Sequence, residues 1–136
     1  MFCFSFLPIS LIALIAGIAA HMIIGMLWYS PLLFGNLWMS LNKIKAGSYK
    51  MHAGHIAGSV ITGATTTIVL GHILKGLSVT TCLAALEHSL LLWLGFIATE
   101  QFGSVLWEKK PLELYFIKVA HVAVTLAAVG CLVTVL

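Results

Sequence analysis

Long apolar runs, separated by short polar segments, make up most of this chain. Four runs reach the roughly 20 residues that an α-helix needs to cross the hydrocarbon core of a bilayer, at about residues 4–29, 54–74, 77–102 and 112–136. Because the runs are continuous and do not alternate with polar residues, they do not resemble the strands of a membrane β-barrel. The pattern predicts an all-α integral membrane protein with four transmembrane helices in one domain, 1–136.

The chain has too few charges to cover a soluble domain. Hydrophobic residues make up 61% of it and charged residues 8%, whereas soluble domains are usually about a quarter charged. The sequence shows no nucleophile–base pair, no phosphate-binding loop and no basic patch for nucleic acid. We therefore expect a non-enzymatic protein that has the lipid bilayer as its main partner, no nucleic acid partner and no cofactor.

The lysines are unequally divided between the two sides of the predicted helices. The loops after the first and third helices carry most of them, namely Lys43, Lys45, Lys50, Lys109 and Lys110. The loop between the second and third helices carries only Lys75. Positive loops favour the cytoplasmic side, so we expect both termini outside. The first run lacks a basic start and is longer than a signal-peptide core, which predicts a membrane helix there.

The three cysteines, Cys3, Cys82 and Cys131, have no CxxC spacing. The predicted topology places all of them in or near the outer half of the bilayer. We expect small apolar fillers at these positions. A Cys3–Cys131 bridge is the alternative, because both termini are predicted on the same, oxidising side.

The segment that follows the first helix combines aromatic residues with turn-forming ones. Trp28 and Tyr29 fall where aromatic rings meet the headgroups, and Pro31 disfavours helical geometry at the residue before it. From about residue 32 to 44 apolar residues recur at helical spacing, which predicts a short interfacial helix. The candidate interface motif consists of Trp28, Tyr29, Ser30, Pro31, Phe34, Gly35 and Trp38. Its role is either to anchor the first helix or to take part in gating or partner docking.

Residues 28–35, followed by Trp38, resemble the pattern of the family called domain of unknown function 1761. The glycine-rich second helix and residues 93–96 and 111–114 also fit that family. Its members are small bacterial membrane proteins with four predicted helices. The resemblance implies this fold and a bacterial cytoplasmic membrane, and it implies no chemistry.

Two similar strings hint at an internal repeat. Residues 34–38 read FGNLW and residues 102–107 read FGSVLW, and a tryptophan precedes each string, Trp28 and Trp93 respectively. The similarity predicts two parallel helical hairpins related by an axis along the membrane normal, as in some transporters. Chance similarity between two interfacial aromatic stretches is the alternative.

Titratable residues lie inside three of the predicted helices. A charge at the centre of a membrane helix costs about 2.5–3.5 kcal/mol on insertion scales, so such residues are candidates for function. The candidate intramembrane polar site consists of Glu87, His88, His121, Lys118 and His21. One hypothesis is a polar pathway with Glu87 as an ion or proton site, the histidines as relays and Lys118 as counter-charge. In the other, Glu87 bonds a neighbouring helix and Lys118 extends its ammonium to the headgroups.

Metal and haem sites have weaker support. His52 and His55 are weak candidates for zinc ligands because they share one helix face, but no third ligand has a matching spacing. His88 and His121 offer two axial ligands for a haem between helices. Ordinary polar histidines at the cytoplasmic boundary explain the first pair better, and simple hydrogen-bonded histidines explain the second pair better. We expect no metal.

Small residues recur every four positions in the first two helices, as in Gly54-xxx-Gly58 and Ser59-xxx-Gly63, so close helix packing is expected. Four helices enclose little volume, and a permeation path would therefore need a homo-oligomer, with a dimer as the default. We expect a channel-like or transport role for an ion or small solute. The alternatives are a non-catalytic scaffold or partner subunit and, with less support, a membrane enzyme or redox protein.

Overall fold

A computed structural model describes residues 9–136, so Cys3 and the first part of the predicted first helix lie outside the described residues. The described part is helical, without strands. The five helices are α1 (Leu11–Trp28), α2 (Gly35–Leu41), α3 (Ala53–Gly76), α4 (Cys82–Leu106) and α5 (Leu112–Val135). Four of them, α1, α3, α4 and α5, are long and apolar enough to cross a membrane. The all-α prediction with four long apolar helices is confirmed.

Polar caps at α1 and α4 determine where these helices begin. The Ser10 hydroxyl accepts a hydrogen bond from the Ala13 N–H (3.0 Å) and donates one to the Leu136 carbonyl (3.1 Å), so it also ties α1 to the end of α5. Thr81 caps α4 by accepting from the Ala84 N–H at 3.3 Å. Such side chains satisfy N–H groups that the first turn leaves free. As a result α4 begins at Cys82, five residues after the start that the apolar run predicts, 77.

The long helix α4 is not uniformly α-helical. After Cys82–Leu92 it widens into a π-helical segment, Trp93–Ala98, and then continues as two short α-helical pieces, Thr99–Gln101 and Gly103–Leu106. Two side-chain hydrogen bonds hold the π segment against α5. The Trp93 indole donates to the Val119 carbonyl (2.7 Å), and the Tyr115 hydroxyl donates to the Ala98 carbonyl (2.8 Å).

The helix α5 lies at the centre of the bundle, because α1, α3 and α4 all pack against it. Few contacts join α3 to α4, and an open groove separates them. Small residues allow α1 and α3 to pack closely, since a side chain at Gly17 would overlap Thr67. The core is formed by Ile9, Ala13, Leu70, Leu74, Ala85, Leu126, Val129 and Val133.

The two ends of the bundle differ in chemistry. The end that holds residues 29–52 and 107–111 carries five lysines and is called the lysine end below. There Lys110 forms an ion pair with Glu108 at 2.5 Å, and its hydrogen bond and positive charge lower the pKa of the Glu108 carboxyl. Helix α2 lies within the segment predicted to be interfacial, and its position in the headgroup region stays a prediction.

The opposite end, called the disulfide end below, contains a bond between Cys82 and Cys131, with Cα atoms 4.6 Å apart. Cys82 is the first residue of α4, and Cys131 is near the last turn of the antiparallel α5, so the helix ends bring them together. The expectation of free cysteines that act as apolar fillers was therefore wrong for these two. The alternative bridge from Cys131 to Cys3 is also excluded, because Cys131 is already paired.

Candidate intramembrane histidine site

His21 of α1 lies directly against α3. Its Nε2 is 3.4 Å from the Thr62 hydroxyl oxygen, and a side chain at Gly63 would come within 3.3 Å of the His21 ring. The Thr62 hydroxyl donates its own proton to the Ser59 carbonyl at 3.1 Å. In the tautomer that carries the proton on Nε2, His21 donates to the Thr62 oxygen and Nδ1 keeps a lone pair.

His121 of α5 lies against the same face of α1, one turn further along the helix. A Cβ added at Gly25 would lie 3.7 Å from the His121 Nε2. Gly25 follows His21 by four residues, about 6 Å along the helix. His21 and His121, called the histidine pair below, thus lie one turn apart along this face of α1, and Gly25 lets the His121 imidazole approach the α1 backbone.

Both members of the histidine pair have a buried nitrogen without a hydrogen-bond partner among residues 9–136. These atoms are the His21 Nδ1 and the His121 Nε2. A buried polar atom left without a partner costs about 1–3 kcal/mol, and hydrocarbon offers nothing to bond it. Such nitrogens are suited to bind a proton, a water molecule or a small cation.

Aromatic rings surround His121 on the side of the lysine end. The Tyr29 ring centroid is 5.2 Å from that of His121, and the Trp28 centroid is 6.0 Å away. The Trp28 indole is fixed by donating to the Ile117 carbonyl at 2.9 Å, and Phe34 packs on it with centroids 4.8 Å apart. Trp28 and Tyr29 therefore line the site on the side of the lysine end.

A series of rings continues from Tyr29 to the exposed residues at the start of α3. Consecutive centroids are 5.5, 6.0, 5.8 and 5.5 Å apart. The series, called the aromatic chain below, consists of Tyr29, Trp38, Tyr49, His55 and His52. It joins His121 to the surface of the lysine end. Tyr49 is a member that sequence reasoning missed, because it lies in a loop without periodicity.

The remaining residues of the predicted interface motif build the turn that positions these rings. The Gly35 N–H donates to the Ser30 carbonyl at 2.9 Å, and a Cβ at Gly35 would overlap the backbone of Tyr29 and Ser30. The Ser30 hydroxyl donates to the Leu27 carbonyl at 2.7 Å, and Pro31 is exposed. Gly35 is therefore required for close backbone approach.

Glu87 and His88 lie apart from the histidine pair. Glu87 is exposed on the outward face of α4, opposite the buried Ala85 and Ser89. It lies five residues from the first residue of α4, about 7.5 Å along the helix. His88 is half-buried, with Nδ1 2.7 Å from the Ala84 carbonyl.

Lys118 is half-buried on α5. Within residues 9–136 neither Lys118 nor Glu87 forms an ion pair. Of the five residues in the predicted polar site, the structure thus brings together His21 of α1 and His121, which packs against α1 one turn from His21. Glu87, the residue proposed as the ion site, faces away from the bundle.

The weak metal candidates His52 and His55 have a structural role at the start of α3. Their rings stack with centroids 5.5 Å apart, and the His55 Nδ1 accepts from the His52 N–H at 3.0 Å. In the part of the chain that the structure describes, no three His, Cys, Asp or Glu residues form a group that could hold a metal ion.

The groove between α3 and α4 has a volume of about 360 Å³ and contains no titratable side chain. Its lining includes Thr65, Val69, Leu92, Phe96 and Leu126. It thus offers little chemistry beyond apolar contact, and the histidine pair is the stronger candidate for a functional site.

Comparison with known proteins gives one match. Residues 12–134 match the family model described as "Protein of unknown function (DUF1761)". No curated protein and no solved structure matches the chain.

Proposed function

We propose that this chain, which belongs to the DUF1761 family of proteins of unknown function, has a channel-like or transport role for an ion or small solute. The histidine pair favours a proton or another small cation as that solute. The observation that carries the proposal is the pair of buried, unpartnered nitrogens, His21 Nδ1 and His121 Nε2. Imidazole gains and loses a proton near neutral pH, which suits it to transient binding.

The aromatic chain supports a route from the lysine end to the histidine pair. Aromatic faces attract cations, and the chain ends at exposed residues of the lysine end. From His21 toward the disulfide end, Gly17 packs closely against Thr67, and this contact closes the interior of the bundle to a solute. A complete path would then run between copies of the chain, which is why the proposal includes a homo-oligomer, with a dimer as the simplest case.

We place the protein in the bacterial cytoplasmic membrane, with the lysine end in the cytoplasm and both termini outside. Two independent features support this orientation. Lysine-rich loops favour the cytoplasmic side, and the Cys82–Cys131 bond would lie on the outer side, where disulfides persist.

A scaffold or partner-subunit role is the second candidate. The observation in its favour is the part of α3 near the lysine end where a Cβ added at Gly54 or Gly58 would meet no other described element within 4 Å. Glycine faces of this kind let another helix approach closely.

The test is proton flux into liposomes that contain the purified protein and a pH-sensitive dye. We expect the wild type to relax an imposed proton gradient, and His21→Gln and His121→Gln to lose that activity. His72→Gln is the matched control, because His72 is also half-buried in a long helix but bonds the Ile68 carbonyl at 3.0 Å. Wild-type liposomes that leak no faster than protein-free ones, for protons and small cations alike, would refute the transport role. A fixed partner protein in the purified sample would then favour the scaffold role.

A further inference from the structure

A half-buried lysine lies on the side of α5 that faces the bundle. Leu114 precedes Lys118 by four residues and Thr125 follows it by seven, so the three side chains share one face of the helix. Leu114 and Thr125 are 3% and 2% exposed, and Lys118 is half-buried between them. Within residues 9–136 Lys118 forms no ion pair. A cation without an acidic partner therefore lies at the inner side of α5.

The Lys118 side chain is directed toward the lysine end. Cα–Cβ bonds in an α-helix tilt toward the N-terminus of the helix, and α5 begins at the lysine end, at Leu112. Lys118 is six residues from Leu112, about 9 Å along the helix, and the apolar stem of a lysine covers most of that distance. Its charge acts on the Glu108 carboxyl, which is already paired with Lys110. The ammonium group thus lies toward the headgroups on the lysine side.

A row of side chains leads from Lys118 to the groove between α3 and α4. Lys118, Val122 and Leu126 follow one another at four-residue steps, so they form one row along α5. Leu126 lines the groove, and Val122 packs against the core cluster that includes Leu126. Lys118 is eight residues from Leu126, about 12 Å along the helix. The cation therefore lies on the lysine side of the groove, within the length of a lipid acyl chain.

The groove itself suits a hydrocarbon chain. Its volume is about 360 Å³, and its lining is apolar apart from Thr65 and Thr66. The Thr65 hydroxyl already donates to the Ile61 carbonyl at 2.8 Å. Few contacts join α3 to α4, so the groove is open toward the bilayer. Walls of this chemistry offer water few hydrogen bonds, and a hydrocarbon chain fills the groove at lower cost.

We propose that an anionic phospholipid docks here, with one acyl chain in the groove between α3 and α4 and its phosphate beside the Lys118 ammonium. Basic pockets between transmembrane helices recognise anionic headgroups in this way. A zwitterionic lipid adds a positive group that Lys118 repels, and free phosphate leaves the groove unfilled. The proposal requires that the helices lie in a membrane, and it is independent of the transport role.

Native mass spectrometry of the delipidated protein in detergent tests the headgroup contact. The probes are phosphatidylglycerol and phosphatidylcholine with identical acyl chains. Wild-type protein should bind phosphatidylglycerol about fivefold more tightly, the usual effect of one lysine on an anionic lipid. Lys118→Gln should abolish this preference, and Lys118→Arg should keep it. The control Lys50→Gln, which removes an exposed lysine of the same end, should also keep it.

A second pair of variants tests the groove. Val69 lines the groove and is 51% exposed, so the larger side chain of Val69→Trp should fill the space of the acyl chain. Binding of both lipids should then weaken severalfold. Val124→Trp is the matched control, because Val124 is a 45% exposed valine of α5 that does not line the groove. It should bind both lipids like the wild type.

The outcomes separate this inference from its alternatives. A preference for phosphatidylglycerol that survives in Lys118→Gln would overturn the proposal, and so would lipid binding that Val69→Trp leaves unchanged. Displacement of phosphatidylglycerol by inorganic phosphate would show a site for a free anion and would also overturn it. The expected lipid binding by a wild type that carries no proton or cation would uphold the lipid site and refute the transport role alone. An unchanged unfolding temperature in each variant shows that the fold is intact.

Discussion

Trp28 and Trp93, on different helices, donate their indole N–H groups to carbonyls only two residues apart on α5. Trp28 bonds the Ile117 carbonyl at 2.9 Å, and Trp93 bonds the Val119 carbonyl at 2.7 Å. Residues two apart lie on nearly opposite sides of a helix, so the two bonds tie α1 and α4 to different sides of α5. Both carbonyls lie in the half of α5 nearer the lysine end.

The first prediction concerns these two indoles. Trp28→Phe and Trp93→Phe should each lower the free energy of unfolding by about 0.5–1.5 kcal/mol, because each removes one hydrogen bond and keeps an aromatic ring. Only Trp28 contacts His121. Trp28→Phe should therefore also slow proton flux, whereas Trp93→Phe should leave the flux of the folded protein unchanged. Equal effects of both variants on flux would contradict the role of Trp28 as a wall of the histidine site.

The second prediction compares two glycines. Gly17→Ala should destabilise the protein by about 1–3 kcal/mol, the usual effect of overpacking, because the new Cβ would overlap Thr67. Gly58→Ala is the control and should leave stability nearly unchanged, since no atom lies within 4 Å of its added Cβ. Thermal unfolding in detergent measures both. A destabilised Gly58→Ala in a dimeric sample would show that another copy covers this face.

Much of the helical layout is predictable from hydropathy, because the length of each apolar run sets the number of helices that can cross a membrane. The beginning of α4 is not predictable in this way. Residues 77–81 are apolar enough to continue the helix, but Ser78 adopts a φ of 57° and Thr81 caps the next turn. Hydropathy does not detect backbone geometry of this kind.

The candidate site was predictable only in part. His21 and Gly25 share one face of α1 by their spacing alone, so the small-residue surroundings of His21 could be inferred. The outward direction of Glu87 could not, because the rotation of α4 depends on contacts with α5 that are distant in sequence. The Cys82–Cys131 pair, 49 residues apart, leaves no local pattern either.

The internal repeat stays a prediction, with one observation that bears on it. A repeat of two parallel hairpins relates α1 to α4 and α3 to α5. Since Trp93 bonds α5, the equivalent bond of Trp28 would be to α3, and Trp28 bonds α5 instead. Any repeat is thus broken at this pair, and superposition of residues 11–76 on residues 82–135 would measure how far the similarity extends.

The third prediction concerns the disulfide. Cys82→Ser together with Cys131→Ser should lower stability by about 2–4 kcal/mol, because the bond closes a long loop in the unfolded chain. In intact cells that express the Cys3→Ser chain, a membrane-impermeant maleimide should label Cys82 and Cys131 only after reduction and from the outside. The matched control Ser104→Cys, in the last turn of α4 next to the lysine end, should stay unlabelled in the same Cys3→Ser chain until the membrane is opened. Labelling in the reverse pattern would invert the proposed orientation.

The fourth prediction concerns Ser89, whose fully buried hydroxyl has no partner among residues 9–136 and lies against Gly130. Ser89→Ala should leave the free energy of unfolding unchanged or raise it by up to about 1 kcal/mol, because it removes a buried polar atom without a bond. Ser89→Val should lower it by about 1–3 kcal/mol through overpacking against Gly130. A Ser89→Ala protein that folds normally but is clearly less stable would show that the hydroxyl is bonded in the membrane. Neither variant should change proton flux, since Ser89 lies at the contact of α4 with α5 beside Gly130, whereas the histidine pair lies where α1 contacts α3 and α5.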